Sequence, residues 1–495
     1  LLQHLFSLHK KSQQHNSDFD YRGDLNMSQL TLTDTNVDEV RTDKGAITNA
    51  SSLNANVDLF FLAGASRGKD ISNVFELAYN ESPEAATRTL LWARDVRGGA
   101  GERSTFRKLF VKLISLDEDF ARRVLARVPE LGRWDDVFAA FNTPLETDAL
   151  RMIAKASRNP DGLWAKWMPR KGENANKIRA YLRMTPKAYR KLLVNNTNVV
   201  EQKMCSKEWN KIEYGKLPSV ASARYQAAFG RNDPERYMEY RNKLQSGEEN
   251  INAGAVYPYD VVRSLRSGDR KVASAQWDAL PDYLGETTSN ILPIVDTSGS
   301  MGVGVSGLVT AMDVAISLGM YISERNRGIF ENAFMTFSSS PEVIVLDKAQ
   351  PLAERYNSMS RANWGMSTNL MAAFDLVLSS ANRHNISEDE MPSTMIILSD
   401  MEFDQCVHGG KDLTAFSAMS AKYKQAGYQM PKVVFWNLYG REGNIPVTFS
   451  ETGVALVSGF SPAIMKSVVV KLGDVTGFTP ENLMLDVILD ERYDF

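Results

Sequence analysis

The sequence predicts two unlike parts in one chain: an all-α stack of short helices, then an α/β domain built on a parallel, Rossmann-like sheet. Three observations carry this. From about residue 58 to 280 the apolar residues recur at helical spacing, with almost no strand-like alternation. After residue 288, short continuous apolar runs such as Ile291–Val295 and Met395–Leu398 alternate with helix-length segments, as in buried parallel strands. The charge divides at the same place: net −2 over residues 1–57, +8 over 58–287 and −9 over 288–495. These are the expected units: an N-terminal extension, a basic helical domain and an acidic α/β domain, the last two with different partners.

At 495 residues the chain is long enough for two or more cores. Two cysteines, Cys205 and Cys406, exclude a disulfide scaffold and a Cys-rich zinc module, and five scattered histidines leave little for a His-based metal site. No apolar run reaches the roughly 18–20 residues of a membrane span. The expectation is a cytoplasmic protein without a membrane partner, or one carried in a particle if the gene is a phage's.

The chain opens on Leu1, and its first methionine is Met27. Arg22-Gly23-Asp24 can be encoded by a purine run that resembles a bacterial ribosome-binding site. Residues 1–26 are therefore read as translated upstream sequence, with a trimmed N-terminus as the alternative. Residues 27–57, rich in Thr, Asn, Asp and Ser, read as an arm rather than a core.

In the helical half, Pro83 suits the first turn of a helix that carries Leu90, Leu91 and Val96 and stops at Gly98, Gly99 and Gly101. Further helices are expected at 103–115, 119–128, 134–142, 145–157, 176–193, 233–245 and 269–280. Short helices with short joints suggest an irregular, HEAT-like repeat stack. Residues 151–191 hold twelve Lys or Arg against Asp161 and Glu173, with Trp164, Trp167, Tyr181 and Tyr189 interleaved. Such a stripe attracts phosphates, and flat rings stack on unpaired bases; the alternative is a solvated face over core aromatics. Its candidate RNA contacts are Arg170, Lys171, Lys177, Arg179, Arg183, Lys187, Arg190 and Lys191. The glycine loop 94–103 is a second candidate, with backbone N–H groups facing an anion between Arg97 and Arg103. The alternative there is a plain helix cap with an Arg–Asp pair.

The acidic half carries Asp296-x-Ser298-x-Ser300 at a strand end, with a helix expected over 307–324. Thr368 precedes a second helix at 369–383, and Asp400 ends the strand T-M-I-I-L-S-D. Carboxyl ends of parallel strands share one sheet edge, so all five residues can converge on a hard cation, Mg²⁺ (or Mn²⁺/Ca²⁺). Gly302–Gly307 fits G-x-G-x-x-G, but six residues, Asp296 among them, separate it from the strand end, and that aspartate would repel a pyrophosphate. Gly64–Asp70 is one residue short of a P-loop and lacks its Ser/Thr. No nucleophile motif is visible, and the protein is expected not to be an enzyme.

The set at 296–300, 368 and 400 resembles the von Willebrand factor A domain with its metal-ion-dependent adhesion site (MIDAS). That resemblance implies Ser298, Ser300 and Thr368 as direct ligands, Asp296 and Asp400 acting largely through water, and an open position for a partner's carboxylate. Together the halves resemble the Ro (TROVE) ribonucleoprotein family and its plant, bacterial and phage relatives. The stretches L-L-W-A-R-D-V-R-G-G-A-G-E-R (90–103), K-L-P-S-V-A-S-A-R-Y (216–225) and E-R-Y-M-E-Y-R-N-K-L-Q-S-G-E-E-N-I-N-A-G-A-V-Y-P (235–258) strengthen that resemblance. It implies a helical ring that binds structured small RNAs outside and single-stranded RNA ends in its hole. The expected function is thus non-enzymatic RNA binding; a protein–protein adhesion or assembly module, such as a phage particle component, is the alternative.

Overall fold

The structure is a computed structural model and describes residues 39–267, 270–285, 287, 289–306, 309–338, 340–362, 368–404, 415–472 and 477–495. Residues 1–26, Met27, Cys406 and the Gly307 end of the glycine-rich run lie outside them.

The helical half comprises α1 (Ala55–Ala63), α2 (Ser72–Glu81), α3 (Pro83–Arg94), α4 (Ser104–Leu116), α5 (Glu118–Leu131), α6 (Glu146–Ala156) and α7 (Gly162–Trp167). It continues through α8 (Glu173–Tyr181), α9 (Pro186–Asn196), α10 (Val200–Cys205), α11 (Ser219–Asn232), α12 (Pro234–Ser246), α13 (Pro258–Ser267) and α14 (Arg270–Asp278). Local chemistry sets several starts: Asn54 caps α1, and Ser82 and Thr185 cap α3 and α9, each followed by Pro at the first helical position. The expected helix at 176–193 is two helices. The Thr185-Pro186 start ends the first, and Arg183 between them takes a left-handed φ of 52°. The expected helix at 134–142 is a tighter 3₁₀ turn over Trp134–Ala140.

Of the arm expected at 27–57, the described part opens as an antiparallel hairpin, β1 (Glu39–Arg41) and β2 (Ile47–Asn49), and its last residues already belong to α1. It is pinned to the sheet half through paired Asn49 and Ile445 backbones (2.9 and 3.0 Å). The sheet half contains β3 (Ile291–Asp296), a small hairpin of β4 (Gly304–Ser306) and β5 (Val309–Thr310), β6 (Ala333–Phe337), β7 (Val343–Val345), β8 (Thr394–Ser399), β9 (Lys432–Asn437) and β10 (Val454–Ser458). The hairpin delays the expected helix at 307–324, which starts at Ala311 behind a Thr310–Asp313 capping box.

One six-stranded mixed sheet runs β10-β9-β8-β3-β6-β7, parallel throughout except for edge strand β7. β3, β6, β8 and β10 are buried at every position, as strands covered on both faces must be. The chain leaves β3 towards β6 on one side and returns as β8 on the other, which puts the switch point of the sheet between β3 and β8.

The halves share one core, joined where α1 lies on β10. Ser458 Oγ accepts from Gly64 N (3.1 Å) and donates to the Phe60 carbonyl (2.8 Å). A side chain at 64 would come within 2.6 Å of Ser458, so only glycine allows this approach. A smaller cluster around Tyr214, Phe229, Tyr237 and Tyr240 holds α11 and α12 together.

Candidate functional sites: the sheet edge and the basic helical face

The first site lies at the switch point. Asp296 ends β3 and Asp400 follows β8, and both are buried. Asp296 Oδ1 accepts from Ser298 N (2.8 Å) and Oδ2 from Ser399 Oγ (2.5 Å), so both of its oxygens are engaged by the surrounding chain. Ser298 Oγ lies 3.0 Å from Ser300 Oγ, and Ser300 Oγ lies 3.3 Å from Asp400 Oδ1. Burial, with Asp400 adding like charge, pushes the Asp296 carboxyl up to about 6. Ser300 is half-buried and Gly299 exposed, which places the opening there.

These residues suit a small hard cation. Neighbouring ligands of an octahedral ion with bonds of about 2.1 Å sit about 3 Å apart, close to the Ser298–Ser300–Asp400 spacing. Thr368 is on the same edge, but its hydroxyl donates to the Glu402 carbonyl (2.6 Å) and meets Asp404 Oδ1 at 3.2 Å. Among the described residues no group of three or more His, Cys, Asp or Glu side chains is arranged to hold a metal, so the fit rests on hydroxyls joined to two carboxylates. Glu402, Asp404 and Arg441 belong to this edge and are absent from the sequence reading. Arg441 reaches Glu402 Oε1 (3.2 Å) and Asp400 Oδ2 (3.5 Å). The signal for the two carboxylates was local, because D-M-E-F-D repeats an acid every second residue after β8; Arg441 has no such signal.

The second site is the basic stretch. On α9, Lys187, Arg190 and Lys191 are exposed and share one helix face. Lys171 and Arg183 are also exposed, and none of these five makes an ion pair among the described residues. The other expected cations differ. Lys177 lies between Glu146 (2.7 Å) and Glu173 (3.3 Å), Arg179 bonds to Asn176, and Arg170 touches Thr197 Oγ1 at 3.4 Å. Of the four interleaved aromatics, Trp164 and Tyr189 are buried in the core, and half-buried Trp167 lies under the Arg133 guanidinium (3.8 Å). Tyr181 alone of the four is exposed, so stacking on the other three is corrected to packing.

The glycine loop is not an open anion cradle. Its Arg97 and Gly98 N–H groups donate to the buried Asp95 carboxylate (3.0 and 3.1 Å), which Arg492 and Tyr493 also hold. Arg97 turns to the Glu130 carbonyl (3.5 Å). Arg103 is exposed without an ion pair among the described residues; desolvation, then the like charges of Arg133 and Arg107, lower its proton affinity.

Comparison with known proteins finds two family models, each covering less than half of the chain. "Domain of unknown function (DUF2828)" matches residues 142–289 and "Domain of unknown function (DUF7788)" matches 290–479. The chain is 29% identical over 507 residues to "Uncharacterized protein L728" of Acanthamoeba polyphaga mimivirus, covering 90% of this chain and 86% of the relative. Among solved structures it matches the crystal structure of the Deinococcus radiodurans Ro (RSR) protein at a TM-score of 0.48 and 12% identity, over 88% of this chain and 99% of that one. The chain is thus similar to a viral protein over most of its length, and to two domain families whose models meet at 289/290.

Proposed function

We propose that this chain is a non-enzymatic RNA-binding protein of the Ro (TROVE) kind, its basic helical face taking structured small RNA or single-stranded RNA ends. The observation that carries this is the group of five exposed cations, Lys171, Arg183, Lys187, Arg190 and Lys191, none in an ion pair among the described residues. A phosphate backbone supplies the missing counter-charge, and exposed Tyr181 offers a stacking surface. In this reading the mixed sheet is a von Willebrand factor A-type domain. Its strand order, its single antiparallel edge strand and the Asp296–Ser298–Ser300–Asp400 group at the switch point support that assignment. Ser298, Ser300 and, once released from its present contacts, Thr368 would hold Mg²⁺ (or Mn²⁺/Ca²⁺), which supplies a Lewis-acidic position for a partner's carboxylate.

Fluorescence anisotropy with a single-stranded RNA and a 3′-tailed hairpin tests the reading, using wild type and an Arg183/Lys187/Arg190/Lys191→Gln variant. Salt-sensitive binding that the variant loses supports it. Absence of wild-type binding removes it and favours the second reading, a protein–protein adhesion or assembly module working through the sheet edge.

A further inference from the structure

The tip of the β1–β2 hairpin rests on the sheet edge that the metal reading uses. Thr42 Oγ1 donates to the Phe403 carbonyl (2.7 Å), Asp43 N donates to Glu402 Oε2 (3.0 Å), and Gly45 bridges Asp404. From this clamp the Lys44 side chain reaches inward. Its ammonium donates to Thr368 Oγ1 (3.2 Å) and lies 4.0 Å from Asp404 Oδ1. Arg441 spans Asp43 (3.0 Å), Glu402 and Asp400, so one guanidinium links the hairpin tip to a carboxylate of the site. Among the described residues, the edge therefore holds Asp296, Asp400, Glu402, Asp404 and Asp43 against two cations of the chain itself, Lys44 and Arg441.

We infer that the β1–β2 hairpin is a cis-acting occupant of this face, and that Lys44 sets how tightly a divalent cation, and through it a partner's carboxylate, is held. The inference rests on the metal reading proposed above. A threonine hydroxyl has two acceptor positions, and the ammonium takes one at Thr368. A dication bound at about 2.1 Å to the other stands about 4–5 Å from that ammonium, with like charges in a partly buried site. Either the ion binds weakly or the Lys44 side chain leaves; if it leaves, Thr368 Oγ1 regains that acceptor position while the backbone clamp of the hairpin stays in place.

The test is a Mn²⁺ titration, read by electron paramagnetic resonance, on the full chain as wild type, Lys44→Met, Lys44→Gln and Lys44→Arg. Thermal melting confirms that each variant is folded. Gln leaves an uncharged polar amide in place of the ammonium, and Arg retains the charge. The expected result is at least tenfold tighter binding for Met and Gln, with Arg near wild type; binding by Met and Gln alone carries the same meaning. Equal affinities for all four proteins overturn the hairpin inference and leave the metal reading standing. No binding by any of them overturns the metal reading itself.

Discussion

The seam between the halves contains a titratable group whose effect can be worked out. Glu102 is 1% exposed. Its Oε1 lies 3.0 Å from Arg67 Nε, and the Arg67 guanidinium stacks on Phe460 of the sheet half at 3.7 Å. Desolvation outweighs the Arg67 charge and the Thr105 hydroxyl, and raises the carboxyl from 4.5 to about 7. A group whose pKa is higher in the folded state binds protons more tightly there. It contributes stability in full below the unfolded value and loses it as pH rises through the folded one. With these two values the loss between pH 5 and pH 8 is about 2–3 kcal/mol. Glu102→Gln keeps the shape and removes the titration. Urea denaturation of both proteins at pH 5, 6, 7 and 8 is the assay. The wild type is expected to lose stability relative to the variant across that range, whatever constant offset the lost Arg67 contact adds. A difference that stays flat from pH 5 to 8 would refute the reasoning.

Four further outcomes are expected. Asp136 is fully buried and takes charged hydrogen bonds from Arg94 (2.8 Å) and Arg107 (2.7 Å), so Asp136→Ala strands the buried Arg94 and destabilises the helical half by about 3–5 kcal/mol in a melting experiment. Gly64→Ala pushes a methyl into Ser458 and costs about 1–3 kcal/mol; an unchanged melting point would show that the seam is loose. Lys177→Gln leaves RNA affinity and its salt dependence unchanged, because Glu146 and Glu173 already neutralise that ammonium, whereas each free cation removed from the α9 face lowers the salt slope by about 0.7 for a single strand. Calorimetry should show weaker Mg²⁺ binding for Asp296→Ala, since Asp296 orients the Ser298 backbone; an unchanged affinity would place the ion elsewhere.

The sheet edge was legible because its chemistry is local. An apolar run ending in an acid marks β3 and β8 alike, and the topology of any such sheet brings those ends together. The hairpin was not legible: its strands are three polar-rich residues each, and what orders them are Ile445 and residues 402–404, 359 to 397 positions away. Charge pairing failed for the same reason. Lys177 finds Glu146 from 31 residues away and Asp95 finds Arg492 from 397 away, so a stripe counted along the chain overstates the free charge on the surface. The break in 176–193 did have a signal, Thr185-Pro186, masked by apolar spacing that runs on across it. Trp164 and Tyr189 illustrate the limit of composition: an aromatic in a basic stretch can face either way, and packing decides.

The bond between Gly64 and Ser458 spans 394 residues, and it orders events in time. At about 5–20 residues per second, roughly 20–80 s of synthesis separate the two sides of that contact. Through that interval the stretch of α1 that carries the Phe60 carbonyl, and Gly64 beyond it, has no β10 to pack against. The helical half is made first but cannot finish first. Its opening helix waits for the final parallel strand, a demand that favours chaperone holding during synthesis and slow, late closure of the whole molecule.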